Sequence, residues 1–272
     1  MNEFPAGHVW LVGAGPGNPD LLTRKAERLI RTADVVFHDA LVGSGILGLV
    51  PATVDLVPVG KRSGRHSKDQ ATIDRLIVDA ASAGRRVVRL KGGDPAIFGR
   101  ATEELQACRA AGIGVSICPG ITSASAAAAS LGRSLTLRGL ARRLTFVTAH
   151  VRTGETLQLD WQALADPGAT VAIYMGKAAA GDVATQLVAH GLSPDTPIAL
   201  VESASLPEER QFFGTLGLLP LIARTVLGTG PALILIGEAV AAGMGEATVR
   251  QLCVRPEPPG YAPVRPVSNE PL

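Results

Sequence analysis

Short, nearly continuous runs of β-branched and aliphatic residues punctuate the chain at residues 9–12, 35–37, 87–90, 115–118, 144–148, 171–174, 198–201 and 233–236. Runs of that length without polar alternation mark strands buried on both faces. Between them the apolar spacing lengthens to that of a helix. Leu22, Ala26, Leu29 and Ile30 follow Asp20, and Ile73, Leu76, Ile77 and Ala80 follow Ser67, which makes Asp20 and Ser67 the expected N-caps. Alternating strands and helices predict an α/β protein with largely parallel sheets. Between about 131 and 143 the pattern loses its strand character and turns rich in Arg and Leu, so one α/β domain is expected over 1–142 and a second over 143–254. From residue 255 onward the chain holds six of its 19 prolines and no periodicity, which predicts a flexible tail over 255–272.

Composition narrows the class. With 46% hydrophobic and 18% charged residues the body is expected to bury a substantial core. A formal net charge of +2 is too balanced for a chain that neutralises a phosphate backbone, and 4% aromatics leave little material for stacking on bases, so no nucleic-acid partner is expected. Cys108, Cys118 and Cys253 are odd in number and form no C-x-x-C, which argues against a disulfide framework or a zinc site and fits a reducing cytosol. The first residues lack a basic region before their short apolar run, and no apolar stretch approaches the ~18 residues of a membrane span. The expectation is a cytoplasmic protein without a membrane partner.

The candidate chemistry sits where strands end. The first strand runs into Gly13-Ala14-Gly15-Pro16-Gly17-Asn18-Pro19, a glycine turn at the edge where open α/β sheets bind ligands. A dinucleotide fingerprint fails here, because Asn18 stands where the third glycine belongs and Pro16 and Pro19 lack the amide donors a pyrophosphate wants. The second run ends in His38-Asp39; a carboxylate at that position can hold a ribose, act as a general base or cap a helix. His38 reads as a packed or half-exposed residue. Residues 60–67, Gly-Lys-Arg-Ser-Gly-Arg-His-Ser, follow a further strand end and concentrate positive charge before a helix, an arrangement suited to substrate carboxylates or phosphates. Arg89-Leu90-Lys91-Gly92-Gly93-Asp94-Pro95 puts two glycines and an acid after a buried strand, allowing close backbone approach to a ligand. Pro119-Gly120-Ile121-Thr122-Ser123-Ala124 repeats the arrangement and opens a helix whose hydroxyls are expected both to cap it and to touch a ligand.

Taken in order, V-G-A-G-P-G-N-P-D-L-L-T, H-D-A-L-V, V-G-K-R-S-G-R-H-S, R-L-K-G-G-D-P, F-G-R, P-G-I-T-S-A and Y-M-G resemble the motif set of the uroporphyrinogen-III C-methyltransferases of the tetrapyrrole methylase family, over about residues 8–240. The resemblance implies two α/β domains with S-adenosylmethionine in the cleft between them, usually a homodimer, and no metal. It implies successive use of two S-adenosylmethionine molecules to methylate carbons 2 and 7 of uroporphyrinogen III, giving precorrin-2 for siroheme or cobalamin synthesis, with S-adenosylhomocysteine as co-product. It also assigns roles: Asp39 as proton acceptor, Lys61 as proton donor, and Pro16, Gly92, Gly93, Asp94, Ile97, Thr122, Ser123, Met175, Ala204 and Ala232 as cofactor contacts. A substrate with eight carboxylates accounts for basic clusters over 61–66 and 138–143 in a nearly neutral chain.

The chain departs from the family pattern at Asn18, Ala40, Ala96, Ala101, Thr102, Leu137, Gly139 and Ala149, several of them where substrate contacts are expected. Three other readings therefore stand beside the first: a methyltransferase of the same fold with a later corrin or another acceptor, a catalytically silent tetrapyrrole-binding protein, and an NAD-dependent oxidoreductase, which the broken glycine fingerprint weakens.

Overall fold

A computed structural model of the chain describes residues 4–60, 69–150 and 156–242. The first part of the chain builds β1 (Val9–Gly13), α1 (Arg24–Thr32), β2 (Val35–His38), α2 (Ser44–Leu47), β3 (Asp55–Pro58), α3 (Gln70–Ser82), β4 (Val87–Lys91), α4 (Ala101–Ala110), β5 (Val115–Cys118) and α5 (Ser123–Ser130). Its five strands form a wholly parallel sheet in the order β3-β2-β4-β1-β5. Strand side chains alternate between the two faces, and both faces are covered. Trp10, Val12, Val36, Val88 and Leu90 pack with α1 and α2, whereas Val9, Leu11, Val35, Phe37 and Val87 pack with α3 and α4. That double burial is why these strands read as unbroken hydrophobic runs.

The second part builds β6 (Arg143–Thr148), α6 (Trp161–Leu164), β7 (Ala169–Tyr174), α7 (Ala180–Ala189), β8 (Pro197–Glu202), β9 (Arg210–Thr215), α8 (Leu219–Thr225) and β10 (Ala232–Ile236). Its sheet runs β6-β7-β10-β8-β9. One face, with Val171, Ile173, Ile198, Leu200, Ile234 and Ile236, packs on α7 and α8. The other, with Ala172, Ala199, Val201, Leu233 and Leu235, packs on Ala124, Ala126 and Ala127 of α5. The alanine face of α5, which precedes the second sheet in the chain, thus lies against that sheet and ties the two parts together.

The structure corrects several expectations. The second sheet is not largely parallel: β6 and β7 run parallel, but β10 is antiparallel to both β7 and β8, and β9 is antiparallel to β8. Strand β9 went unpredicted, and β3 was expected only as a strand end before residue 60, because Asp, Pro, Arg and Gln interrupt the hydrophobic run in these half-exposed edges. Asp20 is not the N-cap of α1. It lies inside a 3₁₀ turn, Pro19–Leu21, that Asn18 caps by accepting from the Asp20 amide at 2.9 Å, and the α1 cap is Thr23, whose hydroxyl accepts from the Ala26 amide at 3.1 Å. Ser67 lies outside the described residues, and α3 is capped by Asp69, which accepts from the Thr72 amide at 2.8 Å. Among the described residues no helix is long and apolar enough to cross a membrane.

Candidate active site

All five strands of the first sheet end on one edge, and the turns after β1, β2, β4 and β5 carry most of the residues singled out above. The route from β1 leads through α1 on one face toward β2, whereas the route from β4 leads through α4 on the other face toward β5. Such a divergence opens a crevice beyond the strand ends. Three glycine turns meet there almost backbone to backbone. Gly15 and Gly93 exchange hydrogen bonds of 3.1 and 2.7 Å. A Cβ on Gly120 would lie 2.2 Å from the Gly93 carbonyl oxygen, and one on Gly13 would lie 2.5 Å from the Gly120 nitrogen. Glycine is required at both positions by close approach alone. Gly93 is different: its φ is +68°, yet a Cβ there would meet nothing within 4 Å. It borders open space.

A cavity of about 420 Å³ begins at the next residue, lined in part by Leu21, Asp94, Ile97, Gly120, Thr122 and Ala126. Three predicted cofactor residues, Asp94, Ile97 and Thr122, therefore share one concavity, within the ~300–1,000 Å³ range of small-ligand sites. Asp94 is held at both oxygens, accepting from the Ala96 amide at 2.7 Å and from the Gly120 amide at 3.1 Å, so it fastens the turn after β4 to the turn after β5. Gly92 abuts Leu41 of the turn after β2.

Thr122 stands at the N-cap of α5 without capping it, a departure from the expected role of its hydroxyl. The Tyr174 hydroxyl, from the end of β7, accepts from the Ala124 amide at 3.3 Å and bonds the Thr122 hydroxyl at 2.5 Å. A side chain of the second sheet thus satisfies a helix-end donor of the first part. Burial pushes the Tyr174 hydroxyl above its usual range, and the Thr122 bond opposes the shift. Its ring packs against Phe98 and Phe146, with centroids 5.0 and 5.7 Å away. Ser123 opens α5 beside it, half-buried.

Met175, Ala204 and Ala232 lie along one edge of the second sheet, the edge bearing Tyr174, since Leu233 is in register with Tyr174 and Ala232 with Glu202. None of the three lines the cavity. Met175 follows β7 at φ 55° and is exposed; Ala204 is buried between Ser203 and Ser205, at φ 54° and 69°. Left-handed conformations at three non-glycine residues of one edge are the kind of strain that gathers at functional sites. Buried Glu202 accepts from the Gly228 and Gly230 amides at 2.9 and 3.0 Å, fixing the loop that leads into Ala232. The two edges touch again where the Asn18 amide donates to the Ser205 hydroxyl at 3.2 Å, next to Pro16, and where Leu206 packs on Gly17.

Asp39 ends up neither capping a helix, since Gly43 precedes α2, nor beside a metal cluster; among the described residues no group of His, Cys, Asp and Glu is arranged to hold one. Its Oδ1 accepts from the Arg89 guanidinium. Arg89 also donates to Glu104 at 2.8 Å, and Lys91 donates to both Glu104 oxygens at 2.9 Å. Burial by itself would lower the Arg89 pKa, but the Asp39 and Glu104 carboxylates outweigh it and raise the value; Lys91 is lowered by burial and by the Arg89 charge, against the pull of Glu104. His38 is buried, its Nδ1 3.1 Å from the Asp39 carbonyl oxygen. Gly60 packs on the backbone of Asp39 and Ala40, where a Cβ would lie 2.2 Å from the Ala40 nitrogen. Lys61 lies outside the described residues, as does the rest of the 61–66 cluster.

Arg89, Glu104 and Tyr174 were not among the predicted site residues. A signal for the first two was present: an Arg and a Lys two apart in a buried strand share one face and demand a buried anion.

A family model described as Tetrapyrrole (Corrin/Porphyrin) Methylases matches residues 8–220. The chain is 49% identical over 234 residues to a siroheme synthase of Gluconacetobacter diazotrophicus, covering 86% of this chain and 50% of the relative. The chain thus spans about half the length of the siroheme synthases it matches. It is 45% identical over 252 residues to a uroporphyrinogen-III C-methyltransferase of Paracoccus denitrificans, covering 92% of this chain and 87% of that one. A solved structure of uroporphyrin-III C-methyltransferase from Thermus thermophilus complexed with S-adenyl homocysteine superposes with a TM-score of 0.74 at 39% identity, covering 86% of this chain and 98% of that one.

Proposed function

Because the chain belongs to the tetrapyrrole (corrin/porphyrin) methylases, we propose that it methylates uroporphyrinogen III at carbons 2 and 7 with S-adenosylmethionine, giving precorrin-2. The observation that carries this reading is the shared concavity of Asp94, Ile97 and Thr122, at the same strand ends as Asp39. The relatives named as uroporphyrin-III methyltransferases support the acceptor over a later corrin.

The cavity fits the cofactor in size and lining. Gly93 leaves room beside it, Asp94 and Thr122 offer polar groups, and Ile97 and Ala126 offer apolar wall. Gly92, Gly93, Asp94, Ile97, Thr122 and Ser123 would hold the cofactor from the first sheet's edge, with Pro16, Met175, Ala204 and Ala232 contributing from around the junction of the two edges. When bound, S-adenosylmethionine supplies a methyl group on a sulfonium, an already activated leaving group. What remains for the protein is alignment and proton management. Methylating a pyrrole carbon leaves a cationic macrocycle that must lose or relocate a proton. Asp39 accepts that proton, Lys61 donates one, and the basic residues of the chain meet the substrate carboxylates.

We take the working unit to be a cytoplasmic homodimer of two α/β domains, 1–142 and 143–254, as the family resemblance suggests; the tail expected over 255–272 lies outside the described residues. The proton-handling pair is tested by kinetics. Asp39→Asn lowers kcat by about 10²-fold, the scale of a general base, with S-adenosylhomocysteine affinity unchanged. Lys61→Met lowers kcat at saturating substrate if the ammonium donates a proton; a raised KM with normal kcat shows it only anchors a carboxylate. Near-normal kinetics in both variants removes both roles.

A further inference from the structure

Strand β4, Val-Val-Arg-Leu-Lys, is buried throughout, yet Arg89 and Lys91 project from the face where the neighbouring side chains pack on α3 and α4. Their partner is Glu104 of α4, whose side chain is fully buried. Ionic groups sealed in a core add little net stability, because desolvation consumes the Coulomb gain and hydrophobic replacements do as well. The arrangement calls for a use other than stability, and its geometry supplies one.

Arg89 is engaged in three directions: Nε donates to Glu104 at 2.8 Å, Nη1 to the Leu90 carbonyl at 3.2 Å, and Nη2 to Asp39 Oδ1. A guanidinium is planar and rigid, so the first two bonds fix the direction of the third. Glu104 cannot swing away, since Lys91 holds both of its oxygens at 2.9 Å. The Asp39 backbone is tied to the same point, its amide donating to the Leu90 carbonyl at 3.2 Å. Side-chain exposure rises only at the end of this chain of contacts: 0% for Glu104, 3% for Arg89, 29% for Asp39. The buried ions terminate in one carboxylate that reaches the surface at the strand ends.

We propose that Arg89, held in plane by Glu104, is a positioning residue that aims the Asp39 carboxylate at the substrate, engaging Oδ1 so that proton acceptance falls to Oδ2. This rests on the reading of Asp39 as the proton acceptor. Arg89 acts only through Asp39, and its removal matters only while that carboxylate does its work.

A double-mutant cycle on the full chain tests this, with kcat for uroporphyrinogen III methylation and calorimetric S-adenosylhomocysteine affinity as readouts. Arg89→Lys keeps the charge but cannot bridge Glu104 and Asp39 at once. It should lower kcat by about 10- to 10²-fold, the scale of an ångström's misplacement. In the Asp39→Asn background the same change should cost less than about twofold, because groups acting as a unit are not additive. S-adenosylhomocysteine affinity should stay within about threefold in all variants. If Arg89→Lys does not fold by circular dichroism, Glu104→Gln, remote from Asp39, runs the same cycle. Equal fold-losses in both backgrounds, an unchanged kcat in the single variant, or a general loss of cofactor affinity overturns the proposal. A normal kcat in Asp39→Asn alone overturns the reading of Asp39 itself and the proposal with it, an outcome distinct from additivity.

Discussion

Adding one methyl group to each of two glycines packed close together should have different consequences. At Gly120 a Cβ falls 2.2 Å from the Gly93 carbonyl oxygen and 2.8 Å from the Gly13 Cα, all backbone, with no flexible side chain to yield. Gly120→Ala must pry apart the turns after β1, β4 and β5, an overpacking cost of about 1–3 kcal/mol or more. At Gly93 the Cβ meets nothing within 4 Å, and the cost is conformational, for a residue at φ +68°. A left-handed alanine costs about 1–2 kcal/mol. For a chain of this size each kcal/mol lowers Tm by about 2–4 °C, so Gly93→Ala remains folded with a Tm a few degrees down. Its methyl group would stand in open space next to Asp94, where the proposed cofactor site begins. An overlap worth about 1.4 kcal/mol or more weakens S-adenosylhomocysteine at least tenfold, and Gly93→Val, bulkier and β-branched, should abolish binding. Scanning calorimetry gives Tm and titration calorimetry the affinity. A folded Gly93→Ala with normal affinity would sink the placement of the site, and a Gly120→Ala as stable as the parent would sink the packing argument.

Tyr174→Phe removes the hydroxyl that caps α5 from across the sheets; loss of a helix cap costs about 1 kcal/mol, and hydrogen exchange at the Ala124 amide should accelerate, whereas unchanged exchange shows the cap is not needed. The Asp34 carboxyl is lowered to about 2 by its bonds to Arg86, aided by that guanidinium's charge. A depressed carboxyl contributes stability above its ordinary value near 3.8 that is lost as pH falls through about 2. The pair is partly solvent-exposed, so screening reduces its worth to about 1 kcal/mol; Asp34→Asn should lower Tm at pH 7 and leave it nearly unchanged near pH 2, and an equal loss at both pH values contradicts the ionic origin.

Eight strands were legible as short, nearly continuous aliphatic runs, six of them interior to the sheets and two, β5 and β6, at sheet edges. The other two edges are harder to read: β3 carries Asp55 and Pro58 and showed only as a strand end before residue 60, and Arg210 and Gln211 break the hydrophobic run of β9. The antiparallel turn of the second sheet was hidden as well, since strand direction depends on how residues 203–209 fold back to pair β9 with β8. The Ala-rich helix α5 was readable as a helix, but not that its small face would lie on the second sheet. At the site, the glycine turns and Asp94 were visible from their position after strands. Arg89 and Lys91 stood in plain view within the motif, but the anion that pairs them, Glu104, is separated by a turn and part of a helix, and only packing brings it back.

The most direct test is the mass of the product formed when the full chain is incubated anaerobically with uroporphyrinogen III and S-adenosylmethionine. The account predicts a tetrapyrrole heavier by two methyl groups, with two equivalents of S-adenosylhomocysteine released. A tetrapyrrole of unchanged mass, under conditions where S-adenosylhomocysteine binds, contradicts it.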